Sequence, residues 1–140
     1  MRVKRFAAVL TLMVALLFGA PLAAKDPQPG LFIRNGEAFI FRIERGLPVD
    51  VRSAGKDDQP VKGELKAELV DKLGSTLTVN NQTAGQLNYE AYIAKDEFTK
   101  GKRSPVCTLV AGASGFENWP ERLPGLRLTN FQTADAFGCS

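Results

Sequence analysis

The sequence predicts an all-β protein: a single small antiparallel β-sandwich or small barrel preceded by an N-terminal signal peptide. Three features carry that expectation. Short runs in which apolar and polar residues alternate recur through the chain, and a period of two is what a half-buried strand requires. Turn-forming Gly, Pro, Asn and Asp residues separate these runs at intervals of about 8 to 12 residues, the spacing of sandwiches and small barrels. No stretch beyond residue 30 sustains a long amphipathic helical pattern.

The first 24 residues are read as the signal peptide. Arg2, Lys4 and Arg5 form a basic start, Phe6 to Ala20 is an uninterrupted apolar-rich run, and Pro21-Leu22-Ala23-Ala24 precedes Lys25. A membrane span needs about 20 apolar residues, and Pro21 ends this run before that length. Cleavage is expected after Ala24, with Leu22 an imperfect fit at the −3 position, and no cysteine near the bond suggests lipid anchoring. The whole chain has a net charge of +3, but Arg2, Lys4 and Arg5 lie in the leader and every acidic residue lies beyond it, so the remainder is neutral. A neutral domain lacks the basic footprint of nucleic-acid or anionic-lipid binding, so neither partner is expected, nor a membrane span after cleavage.

Residues 25–30, with two prolines, read as an extended leader to one β domain at 31–140. Leu31 to Arg34 and Glu37 to Arg45 flank Asn35-Gly36, a strong hairpin signal, with Phe39, Phe41 and Ile43 assigned to the core face. Leu47, Val49 and Val51 alternate in a third strand, and Ser53 to Pro60 is a polar loop. Glu64 to Leu73 is ambiguous: Leu65, Ala67 and Leu69 alternate as in a strand, whereas Leu65, Leu69 and Leu73 would suit a short helix. Strand is preferred because its neighbours are strands. Ser75 to Val79, Leu87 to Ile93, Pro105 to Ala111 and Leu126 to Gln132 complete the strand set, while Lys95 to Ser104 and Gly112 to Pro124 are expected to be irregular.

Cys107 and Cys139 are the only cysteines, and in an oxidising compartment they have one intramolecular pairing available. Closing a loop of about 33 residues would contribute about 3 to 4 kcal/mol in the chain-entropy model. A free thiol or an intermolecular bridge is the alternative. The strand spacing resembles that of the immunoglobulin-like class. A bridge from the seventh strand to the tail differs from the central inter-sheet disulfide of antibody domains, and no tryptophan precedes Cys107.

The chain has no histidine, which removes Ser-His and Cys-His nucleophile systems and most zinc chemistry; no cofactor, metal or catalytic residue is expected. Phe116, Glu117, Asn118 and Trp119 form a candidate partner-binding loop. The competing reading has Phe116 and Trp119 folding back to cap the core. Glu117 and Glu121 are the best carboxylate pair for glycan hydrolysis, yet without supporting groups they read as solvated. Gly112 to Gly115 lacks the second glycine of a nucleophile elbow, Phe116 standing in its place. Asn81-Gln82-Thr83 matches a glycosylation sequon but also suits a turn, and Asp57-Asp58 supplies too few oxygens for calcium. The resulting expectation is an exported, non-enzymatic binding or structural module of the envelope or periplasm, or one secreted outright. An inhibitor or chaperone-like partner of another exported protein is the alternative, with an envelope glycan hydrolase more remote. Ligand and oligomeric state stay open.

Overall fold

A computed structural model describes residues 25–140. The expected signal peptide, residues 1–24, lies outside them. Within the described residues nine strands follow one another without a helix: β1 (Leu31–Ile33), β2 (Ala38–Glu44), β3 (Leu47–Ser53), β4 (Leu65–Asp71), β5 (Ser75–Asn81), β6 (Leu87–Ile93), β7 (Lys102–Ser104), β8 (Ala113–Trp119) and β9 (Leu126–Thr133). They form two open antiparallel sheets, one ordered β1-β9-β6-β7 and the other β3-β2-β4-β5-β8. The sheets pack face to face, so the architecture is the expected sandwich and not a closed barrel.

Alternation builds the core. Phe41, Leu65, Ala67, Leu69, Leu77 and Val79 of the larger sheet meet Ile33, Tyr89, Ala91, Leu126, Leu128 and Phe131 from the smaller one. Phe131 lies edge-on to Phe41 and stacks on Tyr89, with centroids 5.8 and 5.5 Å apart. Phe39 and Ile43 pack against this cluster from the expected face of β2. Residues 65–71 are a strand in full register with β5, and Leu73, the residue a helix would have aligned with Leu69, stands at the exposed tip of the hairpin. The next residue, Gly74, adopts φ 112°, and a Cβ there would lie 2.1 Å from the Trp119 carbonyl oxygen. No other residue type fits that corner.

Four expectations are corrected. Asn35-Gly36 makes a tight turn, with the Glu37 N–H donating to the Arg34 carbonyl, but its flanking strands separate into different sheets. Asn35 is occupied elsewhere: its amide donates to the Leu123 carbonyl and its oxygen accepts from Ser75. The hairpin is instead β2–β3, whose turn residues Arg45 and Gly46 both have positive φ, at 52° and 81°, as a type I′ turn demands. Residues 102–104, expected as loop, pair with β6 as β7. Pro105 to Ala111 contributes only two single bridges, Leu87 to Leu109 and Cys107 to Cys139, as it crosses between the sheets. Finally, residues 113–119 are no loop: they are β8, paired residue for residue with β5.

Candidate functional site

Four strands end the two sheets, and three of them are poor templates for another chain. β1 and β7 are each three residues long, and β7 carries Lys102 and Arg103. β3 contains Pro48, its ladder with β2 is broken by a bulge, and Asp50 sits at φ 50°. Short length, charge, proline and bulges are the usual protections of a sheet edge. β8 lacks the short length, the proline, the bulge and the basic residues, and its one charged residue is Glu117. Its seven residues hold unbroken register against β5.

In an antiparallel pair, alternate residues aim their N–H and C=O groups away from the partner. Among the described residues, the one main-chain bond that β8 makes apart from its ladder with β5 is at its first residue, where Ala113 N–H donates to the Val110 carbonyl. Ser114, Phe116 and Asn118 face outward, and Phe116 is 64% exposed. Gly115, Glu117 and Trp119 face the interior. Gly115 is there because Leu109 packs over it; an added Cβ would come within 3.0 Å of the leucine.

Beside this edge runs a groove of about 260 Å³, lined by Ala113 to Glu117 on one side and by Cys107, Thr108, Val110 and Phe137 on the other. That consecutive β8 residues line it means that the strand's main chain, not one face of its side chains, borders the space. Val110 and Phe137 are 44% and 62% exposed, so the rim is apolar. The far wall is anchored by the disulfide. Cys107 and Cys139 are bonded, and there is no free cysteine among the described residues. Around the bond the tail zips to the crossing segment: Val106 and Ser140 exchange both main-chain bonds, Thr108 N–H donates to Gly138, and Gly138 N–H donates to the Thr108 hydroxyl. The disulfide therefore holds the tail segment that brings Phe137 to the groove wall.

The candidate residues Phe116, Glu117, Asn118 and Trp119 thus share one strand but divide between its two faces. Trp119 packs on the core, and its indole N–H donates to Ser104 Oγ at 2.9 Å, tying β8 to β7. It caps the core as the competing reading held; Phe116 does not. Asn118 Oδ1 accepts from Thr76 on the outer face. Glu117 turns inward, where Oε1 accepts the Cys107 N–H at 2.7 Å. Burial pushes the Tyr89 hydroxyl well above its ordinary pKa, and the nearby Glu117 charge pushes it further. Glu121 is exposed beyond the strand end.

Other sequence-level candidates have structural duties. Asn81 is buried: its amide donates to the Gly85 and Leu109 carbonyls, and its oxygen accepts from the Thr83 N–H and hydroxyl. A glycan could not be attached to that nitrogen without unfolding the corner. At Asp57-Asp58 the Lys66 ammonium lies against the loop, donating to the carbonyls of Gly55, Lys56 and Asp58. Among the described residues no group of three His, Cys, Asp or Glu side chains is placed to hold a metal ion. No described helix is long and apolar enough to cross a membrane. A larger cleft, about 440 Å³, lies between Arg34 and Arg122, but their guanidiniums are paired with Glu97 and Asp71. The chain matches no family model, no curated protein and no solved structure.

Proposed function

We propose that the protein is an exported, non-enzymatic binding module of the cell envelope or periplasm, and that it holds an extended segment of another exported protein along β8. The observation that carries this reading is the contrast among sheet edges: three are protected, and the fourth is long, regular and bordered by an apolar groove. Strand addition uses such an edge, main-chain bonds supplying affinity and flanking pockets supplying selectivity. Export is supported by the disulfide, which needs an oxidising compartment to persist, and by the signal-peptide pattern of residues 1–24. A non-enzymatic role is supported by the division of the best carboxylate pair, Glu117 facing inward on β8 and Glu121 lying exposed beyond the strand end. The inhibitor or chaperone-like role is the form of this reading in which the captured segment is the partner's functional strand. Kinship with the immunoglobulin-like class, which includes many cell-surface modules, belongs to the same proposal.

The test has two parts. The protein recovered from its natural compartment should begin at Lys25, and a complex isolated from the exported fraction should be lost in Phe116→Lys while Val51→Lys on β3 leaves it intact. Retention of the complex in Phe116→Lys would overturn the assignment of β8.

A further inference from the structure

Glu117 is the one charged side chain lining the β8 groove, and only half of its carboxylate is occupied. Oε1 accepts the Cys107 N–H, whereas Oε2 has no donor among the described residues and is not among the buried unpartnered atoms, so it reaches solvent. No lysine or arginine lines the groove, and none of the ion pairs among the described residues includes Glu117. The rim around it is Val110, Phe116 and Phe137.

A strand laid along β8 would strip water from Oε2 in this apolar setting. Removing water from a carboxylate without returning a donor is costly, and a partly desolvated carboxylate is best matched by a cation that also donates a hydrogen bond. β8 itself carries no basic residue, so a second copy paired through the same strand would leave both carboxylates unmatched.

We infer that the groove takes an extended segment bearing a lysine or arginine, whose cationic head meets Glu117 while uncharged apolar neighbours cover Val110, Phe116 and Phe137. This rests on the reading of β8 as the binding edge. It adds the chemistry of the occupant. A neutral or acidic residue at the position facing Glu117 is rejected because it buries the carboxylate unpaired, so selectivity comes as much from that penalty as from the attraction.

The experiment uses the disulfide-bonded protein and capped pentapeptides Val-Thr-X-Thr-Val, with X lysine, arginine, norleucine or glutamate. Trp119, the only tryptophan, lies on β8 and reports binding by fluorescence. Lysine and arginine peptides should bind about 10- to 100-fold more tightly than norleucine, and glutamate more weakly still. In Glu117→Gln the amide oxygen can still accept from Cys107, so the fold is retained, and the lysine and norleucine peptides should bind alike. Equal binding of lysine and norleucine by the unaltered protein, or a lysine preference that survives Glu117→Gln, would overturn the inference while leaving the strand-binding reading intact. Failure of every peptide to bind would overturn both. Self-association in sedimentation, abolished by Phe116→Lys, would overturn the inference by placing a second copy at the edge.

Discussion

The two ends of the five-stranded sheet were solved by opposite means. At β3 the chain places Pro48, a bulge and a left-handed Asp50, then pins the strand with Arg52, whose guanidinium bonds both oxygens of Glu64 at 2.7 and 3.1 Å. At β8 it places a regular strand, an exposed Phe116 and a groove walled by the tail. Edge protection prevents unwanted pairing, and the proposed function takes the less guarded edge, in a chain that guards three, as the one used. The difference also shows how each end is stabilised. β3 depends on an ion pair and a type I′ turn, both local; the β8 side depends on covalent closure between residues far apart in sequence.

That contrast can be broken most severely at the disulfide. Replacing Cys107 and Cys139 by serine should lower stability by about 3 to 4 kcal/mol in chemical denaturation. Amide exchange should accelerate over residues 105–110 and 134–140 and stay unchanged in β2 and β3. Uniform acceleration would mean that the two ends are not independent. A smaller loss, about 1 to 3 kcal/mol, is expected for Asn81→Ala, which leaves the Thr83 N–H without its acceptor and reduces the Gly85 and Leu109 carbonyls to the Thr83 hydroxyl and the Leu87 N–H, respectively, as their donors.

The β3 end should show itself in acid. Hydrogen bonds from Arg52 and from the Val61 N–H hold the Glu64 carboxyl down to a pKa of about 2. Folding therefore favours the ionised form. The contribution is complete above the unfolded pKa, about 4.3, and drains away as pH falls through the folded value. Denaturation midpoints followed from pH 5 to pH 2 should decline, and Arg52→Met should flatten that decline while leaving peptide binding at β8 untouched. The smallest stability change, within about 0.5 kcal/mol, is expected for Phe116→Lys, since the side chain is on the surface. Binding along β8 should nevertheless disappear in this variant, and a thermal melt run beside a peptide titration separates the two effects.

Much of the fold was legible in the sequence because burial imposes period two wherever a strand has one wet face. β2, β4, β5, β6 and β9 all announce themselves this way, and the lone pair of cysteines had one partner each. β8 was hidden for two physical reasons. Its composition, Ala-Ser-Gly-Phe-Glu-Asn-Trp, contains no β-branched residue and holds a glycine that serves Leu109 packing, not a turn. Its polarity is also inverted, with Phe116 outside and Glu117 inside, where it accepts the Cys107 N–H. The same inversion is the sequence signal that could have been read: an aromatic and a carboxylate on the wrong faces of a run aligned with Trp119. β7 left no signal because a three-residue strand with Lys102 and Arg103 gains its place from pairing with β6, not from apolar alternation. The Asn35-Gly36 signal misled because turn chemistry fixes the bend and not the sheet into which each arm continues.

The most direct test of the central claim, that β8 is the working edge and β3 the guarded one, is the amide spectrum of isotope-labelled protein titrated with the pentapeptide Val-Thr-Lys-Thr-Val. The account predicts shifts confined to Ala113–Trp119 and the groove wall at 107–110 and 137, with slowed exchange of β8 amides that face away from β5. Shifts centred on Leu47–Ser53, with β8 silent, would contradict it.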